Sequence, residues 1–170
     1  VSQEGALLVI VAVAILLIGL MGLGWWRRSR RDSALAAPFG SVPAEAAVRG
    51  TYPGLYVATT VHGEPLERLA VRGLGFRAKA QLTVTDAGTE LALTGQEPIF
   101  LRRERIIAAE QATVTIDRVV ERDGLLRLTW LLEDGTRADS YFRPQTTTAR
   151  TVAAAIDSTL TPHTPTGTDA

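Results

Sequence analysis

From Leu55 onward, apolar and polar positions alternate with a period of two, as strands with one buried and one wet face require. Leu55, Val57, Thr59 and Val61 alternate with Tyr56, Ala58 and Thr60. The clearest run is 76–85: Phe76, Ala78, Ala80, Leu82 and Val84 share the face expected inside, and Arg77, Lys79, Gln81, Thr83 and Thr85 share the other. Asp86-Ala87-Gly88 predicts a hairpin turn, and Thr89–Thr94 returns with Leu91 and Leu93 inward. After a break at Gly95–Pro98, short strands are expected at Ile99–Leu101 and Glu104–Ala109, with Thr113–Val120 extended. Leu125–Leu132 places Leu126, Leu128, Trp130 and Leu132 on one face, turns at Glu133-Asp134-Gly135, and pairs with Arg137–Arg143. With a strand at Leu66–Val71 this makes about seven.

The period changes at both ends of this β segment. Ala149, Val152, Ala153, Ile156 and Leu160 recur at three and four, which predicts a helix over 147–160 with one apolar stripe that must dock on the strands. At the other end, residues 6–26 read ALLVIVAVAILLIGLMGLGWW, 21 positions without a charge. At about 1.5 Å per residue they span roughly 31 Å, the thickness of a hydrocarbon core. The next five residues are RRSRR. A cleaved signal peptide would need a basic start, a shorter apolar run and a small-residue exit; VSQEG has one acid and no base, and arginines follow the run. An uncleaved anchor is expected. Trp25 and Trp26 suit the headgroup belt, and Arg27, Arg28, Arg30 and Arg31 predict that the N-terminus faces out and residues 27–170 face the cytoplasm of the plasma membrane. Val1 is read as a non-AUG start. The stripe Gly5, Ala12, Gly19 lacks the tight spacing of a helix-pairing motif.

The organisation expected is residues 1–5 outside, 6–26 spanning, 27–31 as basic flank, 32–50 as a flexible Ala/Pro/Gly/Ser linker, 51–160 as the domain and 161–170 as a disordered tail. Bases and acids number 18 each; with the four flank arginines and Glu4 set aside, residues 32–170 carry 14 bases and 17 acids, a net of −3. A mildly acidic domain argues against nucleic acid as a partner. Cysteine is absent, which excludes thiolate catalysis, disulfides and zinc–thiolate sites. His62 in VHGEP is expected as an exposed turn residue and His163 falls in the tail, neither with a second ligand at metal spacing. Glu121, Asp123, Glu133, Asp134 and Asp139 stand at strand ends, where acids collect for backbone reasons. RGLGFR lacks the third glycine of a phosphate loop and reads as a tight turn. No catalytic residue, cofactor or metal is expected.

About seven antiparallel strands and a closing helix describe the pleckstrin-homology (PH)-like superfold, a barrel or orthogonal sandwich capped by a C-terminal α-helix. The strings RLAVRGLGFRAKAQLTV, TIDRVVERDGLLRLTWLLEDG and DSYFRP resemble small actinobacterial single-span membrane proteins with a PH-like domain, loosely described as export or transport proteins. The resemblance covers nearly the whole chain, and implies a fold and a membrane address but no established activity. Many PH domains read phosphoinositides through a basic loop after the first strand; the matching HGEPLER holds two acids and one base, so phosphoinositide binding is not expected. Arg102, Arg103 and Arg105 form the only other basic cluster. By fold analogy, an extended peptide could add to the fifth strand beside the helix, which points to Ile99, Leu101, Arg103, Val152 and Ile156. The function expected is a non-enzymatic, membrane-anchored cytoplasmic binding or scaffold module with an unknown protein partner; the alternative is an accessory subunit of an export or transport complex.

Overall fold

The computed structural model describes residues 3–33, 37–69, 71–112, 114–115, 118–119 and 124–160. The chain divides between Ala34 and Leu35 into two units. The first is a single helix, α1 (Gln3–Ser33). Its apolar window, Leu7–Arg27, has a mean hydropathy of 3.0 and none of it is buried, so one helix is long and apolar enough to cross a membrane. The helix runs on through the arginines to Ser33, seven residues beyond the Trp26 boundary read from the sequence.

The second unit is built on β1 (Val48–Val61), β2 (Glu64–Arg68), β3 (Ala78–Thr85), β4 (Gly88–Leu93), β5 (Ile99–Arg102), β6 (Ile106–Ala112), β7 (Val114–Thr115), β8 (Arg118–Val119), β9 (Leu125–Leu131) and β10 (Arg137–Pro144), followed by α2 (Ala149–Leu160). All ladders are antiparallel. The main sheet runs β5-β4-β3-β1-β10-β9-β6, with β2 added beside β1, and β7 pairs β8 separately. The sheet does not close into the expected barrel, because no ladder joins β5 to β6 at the two ends of the order. A single 3₁₀ turn, Arg103–Arg105, links them instead.

β1 is what curls this sheet. Its first half pairs with β3 from Val48 to Tyr56, and its second half pairs with β10 from Gly54 to Val61. At the overlap Gly54 faces Ala80 on one side and Pro144 on the other. A Cβ there would sit 2.3 Å from the Arg143 carbonyl oxygen and 2.4 Å from the Phe142 ring. Only glycine lets the two neighbours approach this closely. Past the overlap, the register to β10 shifts between Tyr56 and Ala58, a bulge that sharpens the bend.

The core lies in the concavity. Leu126, Leu128, Trp130 and Leu132 are all buried, as their alternation predicts, and so are Leu82, Val84, Leu91 and Leu93. The hairpin at Asp86-Ala87 is closed by the Thr85 hydroxyl, which donates to the Gly88 carbonyl at 2.8 Å. Phe76, expected inside, is not: β3 begins at Ala78, opposite Tyr56, and Phe76 stands in the loop before it, exposed. Helix α2 starts where the Thr148 hydroxyl accepts the Thr151 N–H at 3.2 Å, an N-terminal cap. Its stripe Ala149, Val152, Ala153 and Ile156 is buried, with most of its contact on β6 and β9. Residues 113, 116–117 and 120 of the expected 113–120 strand lie outside the described residues, as do Glu121, Asp123 and the whole expected tail 161–170 with His163.

Ile156 is fully buried under α2, whereas its neighbour Asp157 is exposed. Ile156→Ala is expected to lower the unfolding free energy by about 2–5 kcal/mol, and Ile156→Asp by more, because it seats an unpaired charge in the same place. Urea denaturation followed by Trp130 fluorescence measures both; wild-type stability in either variant would show that α2 does not close the fold.

Candidate functional site

Three places hold the residues singled out by the sequence. Trp25, Trp26 and Arg27 are exposed at the end of the apolar window of α1, and Arg28, Arg30 and Arg31 continue the same helix. The peptide edge expected at the fifth strand is not available. Ile99 and Leu101 are 1% and 3% exposed, and Val152 and Ile156 are 0% exposed; all four face the core, and of the five only Arg103 is at the surface. The outer edge of β5 is also taken. Phe39 bridges Ile99, Gly40 N–H donates to the Pro98 carbonyl at 2.9 Å, and Phe100 N–H donates to the Pro38 carbonyl at 2.9 Å. Val42 N–H donates to Glu90 at 2.9 Å. Residues 37–42, expected as linker, are therefore a strap laid along β5, with Ala37 buried in the core. The strand beside α2 is β6, at the opposite end of the sheet order, where the Asp157 carboxylate accepts the Ala109 N–H. Partial desolvation raises the Asp157 pKa, and the hydrogen bond from Ala109 opposes that shift.

The second place is a chain of buried hydroxyls. Trp130 Nε1–H lies 2.9 Å from Ser140 Oγ, Ser140 Oγ 2.7 Å from Thr59 Oγ1, Thr59 Oγ1 2.8 Å from Tyr56 Oη, and Tyr56 Oη 2.8 Å from the Leu74 carbonyl. Its two ends fix every proton. Indole N–H can only donate and a carbonyl can only accept, so Tyr56 donates to Leu74, Thr59 to Tyr56, and Ser140 to Thr59. Burial pushes the Tyr56 phenol well above its ordinary pKa, although the Thr59 hydrogen bond and the Arg68 charge act the other way. The phenol thus stays a donor at neutral pH. The relay ends on the RGLGFR loop. Val71 and Leu74 are buried, and the ring of Phe39 packs where a Cβ on Gly73 would be, at 2.9 Å. Beyond this pinned base, Gly75, Phe76 and Arg77 are exposed.

The third place is Asp139, read from the sequence as a strand-end acid, which is a carboxylate 1% exposed within β10. Its Oδ1 accepts the Thr129 hydroxyl at 2.7 Å and His62 Nδ1–H at 2.9 Å, and its Oδ2 accepts the Gly63 N–H at 3.4 Å. His62 is a turn residue, as expected, and it latches the β1–β2 turn. The nearby hydroxyl, Thr129, is spent on the same carboxylate oxygen. Period-two reading cannot find this cluster, because its members come from the β1–β2 turn, β9 and β10.

The profile of the bacterial PH domain-like family matches residues 36–157. The chain belongs to that family. Its match begins at the strap and ends within α2, so the family's unit includes both elements that the edges of this bacterial PH-like domain depend on. No curated protein matches the sequence. Among solved structures, a chain of "The 8S snRNP Assembly Intermediate" is similar in fold, with a TM-score of 0.52 at 9% identity, covering 78% of this chain and 96% of that one.

Two expectations follow. Tyr56→Phe removes the donor to Leu74 and the acceptor for Thr59, and should cost about 1–3 kcal/mol with faster amide exchange around Leu74. Unchanged exchange in the loop would mean that the relay does not hold it. A fragment of residues 36–160 should be soluble and cooperative, whereas one of residues 50–160 loses the strap and should melt earlier and self-associate through the bared β5 edge. Equal melting and equal sedimentation of the two fragments would overturn the strap's role.

Proposed function

We propose that this bacterial PH-like chain is a non-enzymatic binding and scaffold module that α1 holds on a membrane, with the β unit on the cytoplasmic side. The observation that carries this reading is the unburied apolar window Leu7–Arg27, whose last residue opens a run of four arginines, followed after Ser33 by a unit that buries its own core. Apolar helix with no protein cover calls for lipid, and arginines on one flank favour the cytoplasmic side. Only residues 34–36 separate the helix from Ala37, the first buried residue of the strap.

The partner we infer is a protein that lays an extended segment along β6. That strand ends the sheet order beside α2, and Ile107, at its bulge, is 42% exposed. The polar groups buried in the unit support a binding role over a catalytic one, since the relay and Asp139 use them to hold strands and turns together.

A C-terminal alkaline phosphatase fusion to the full chain should be inactive and a fluorescent-protein fusion bright. An active phosphatase would reverse the topology and remove the cytoplasmic scaffold reading.

A further inference from the structure

We propose that the tip Gly75–Phe76–Arg77 is a second membrane contact, which rests on the anchored reading above: Phe76 enters the headgroup interface of an anionic leaflet while Arg72 and Arg77 pair with the phosphates of acidic glycerophospholipids. Phe76 is 81% exposed, the most of any large apolar side chain among the described residues. A single exposed apolar residue is ordinary on a protein surface. This one differs in its support, its charge and its place in the chain.

The support is the pinned base. Val71 and Leu74 are buried, Leu74 N–H donates to the Val71 carbonyl at 2.9 Å, and the relay from Trp130 ends on the Leu74 carbonyl. The tip is therefore presented from a fixed turn, and the ring pays little ordering entropy on insertion. The charge is local and one-signed. Residues 68–85 hold four bases and no acid, in a domain whose net charge is otherwise negative. Arg72 and Arg77 are exposed, and neither makes an ion pair among the described residues. An aromatic ring flanked by unpaired arginines matches an interface that is apolar below and anionic above. The place is beside the strap: Phe39 packs against Gly73 at the base of the tip. An acidic protein would satisfy the arginines alone; the lipid surface accounts for the phenylalanine as well.

The chain has no cysteine, so one can be placed at will. Gly75 lies in open space with an ordinary backbone, and Ala154 on α2 is exposed. Gly75→Cys and Ala154→Cys full-length chains carrying an NBD fluorophore are reconstituted in phosphatidylcholine vesicles with and without phosphatidylglycerol. Flotation first tests the anchor: chains that fail to float would overturn the anchored reading and this proposal with it. In floating vesicles that contain phosphatidylglycerol, nitroxide lipids should quench the label at 75 several-fold more than the label at 154. Phe76→Ser, or Arg72→Glu with Arg77→Glu, should bring it down to the level at 154 without affecting flotation. Equal quenching at the two positions, or quenching at 75 that ignores phosphatidylglycerol or the arginines, would overturn the proposal. So would a label at 75 already shielded in detergent solution, which would assign the tip to a second copy of the chain.

Discussion

Everything in the β unit depends on β1 belonging to two ladders at once. A fourteen-residue strand that stayed flat would have to offer both neighbours the same straight edge. Instead it gives β3 its first half and β10 its second, and the handover occurs where Gly54 leaves no volume between Ala80, Phe142 and Arg143. The bend brings the faces of β3–β5 and β9–β10 round a common interior, and Trp130, Leu82 and Ile99 fill it. Without the close approach at Gly54, the sheet would open and α2 would have no seat for Ile156.

That interior is not purely apolar. Four hydrogen bonds run from the Trp130 indole to the Leu74 carbonyl through Ser140, Thr59 and Tyr56, and thereby cross β9, β10, β1 and the loop before β3. Each bond contributes only about 1 kcal/mol net, yet leaving any member unpaired in the core costs more than the bond supplies. A slipped register would orphan several members together, so the relay selects one arrangement of strands over its neighbours. Asp139 does the same on the other face of the sheet for the His62–Gly63 turn.

Much of this was legible in the residues. The alternation of Leu126, Leu128, Trp130 and Leu132, and the three–four spacing of Val152, Ala153 and Ile156, report burial directly, because one face of each element must leave water. The strap was hidden because Ala-Pro-Phe-Gly-Ser has no period; it is held by main-chain bonds to Pro98 and Phe100, which composition does not show. Phe76 was misplaced because alternation continues past the true strand end, which is set by where β1 offers Ala78 a partner. The peptide edge was put at Ile99 by counting strands along the chain. The additional strand β2 shifts that count, and position in the sheet, not order in the sequence, decides which strand borders α2. Asp139 could be found only once β1 and β9 were seen to flank it.

The strap has a consequence for assembly. A sheet with two bare ends can recruit copies at both and grow without limit; a sheet with one can join a single mate, after which no edge is left. With Pro38–Gly40 laid along β5, the β6 end is, among the described residues, the terminus of the main strand order that no strap covers, and part of it is occupied by Asp157. End-to-end association through that order is thereby limited to a closed pair. The strap thus acts as a terminator against end-to-end polymerisation, the route by which open sheets otherwise grow into fibres.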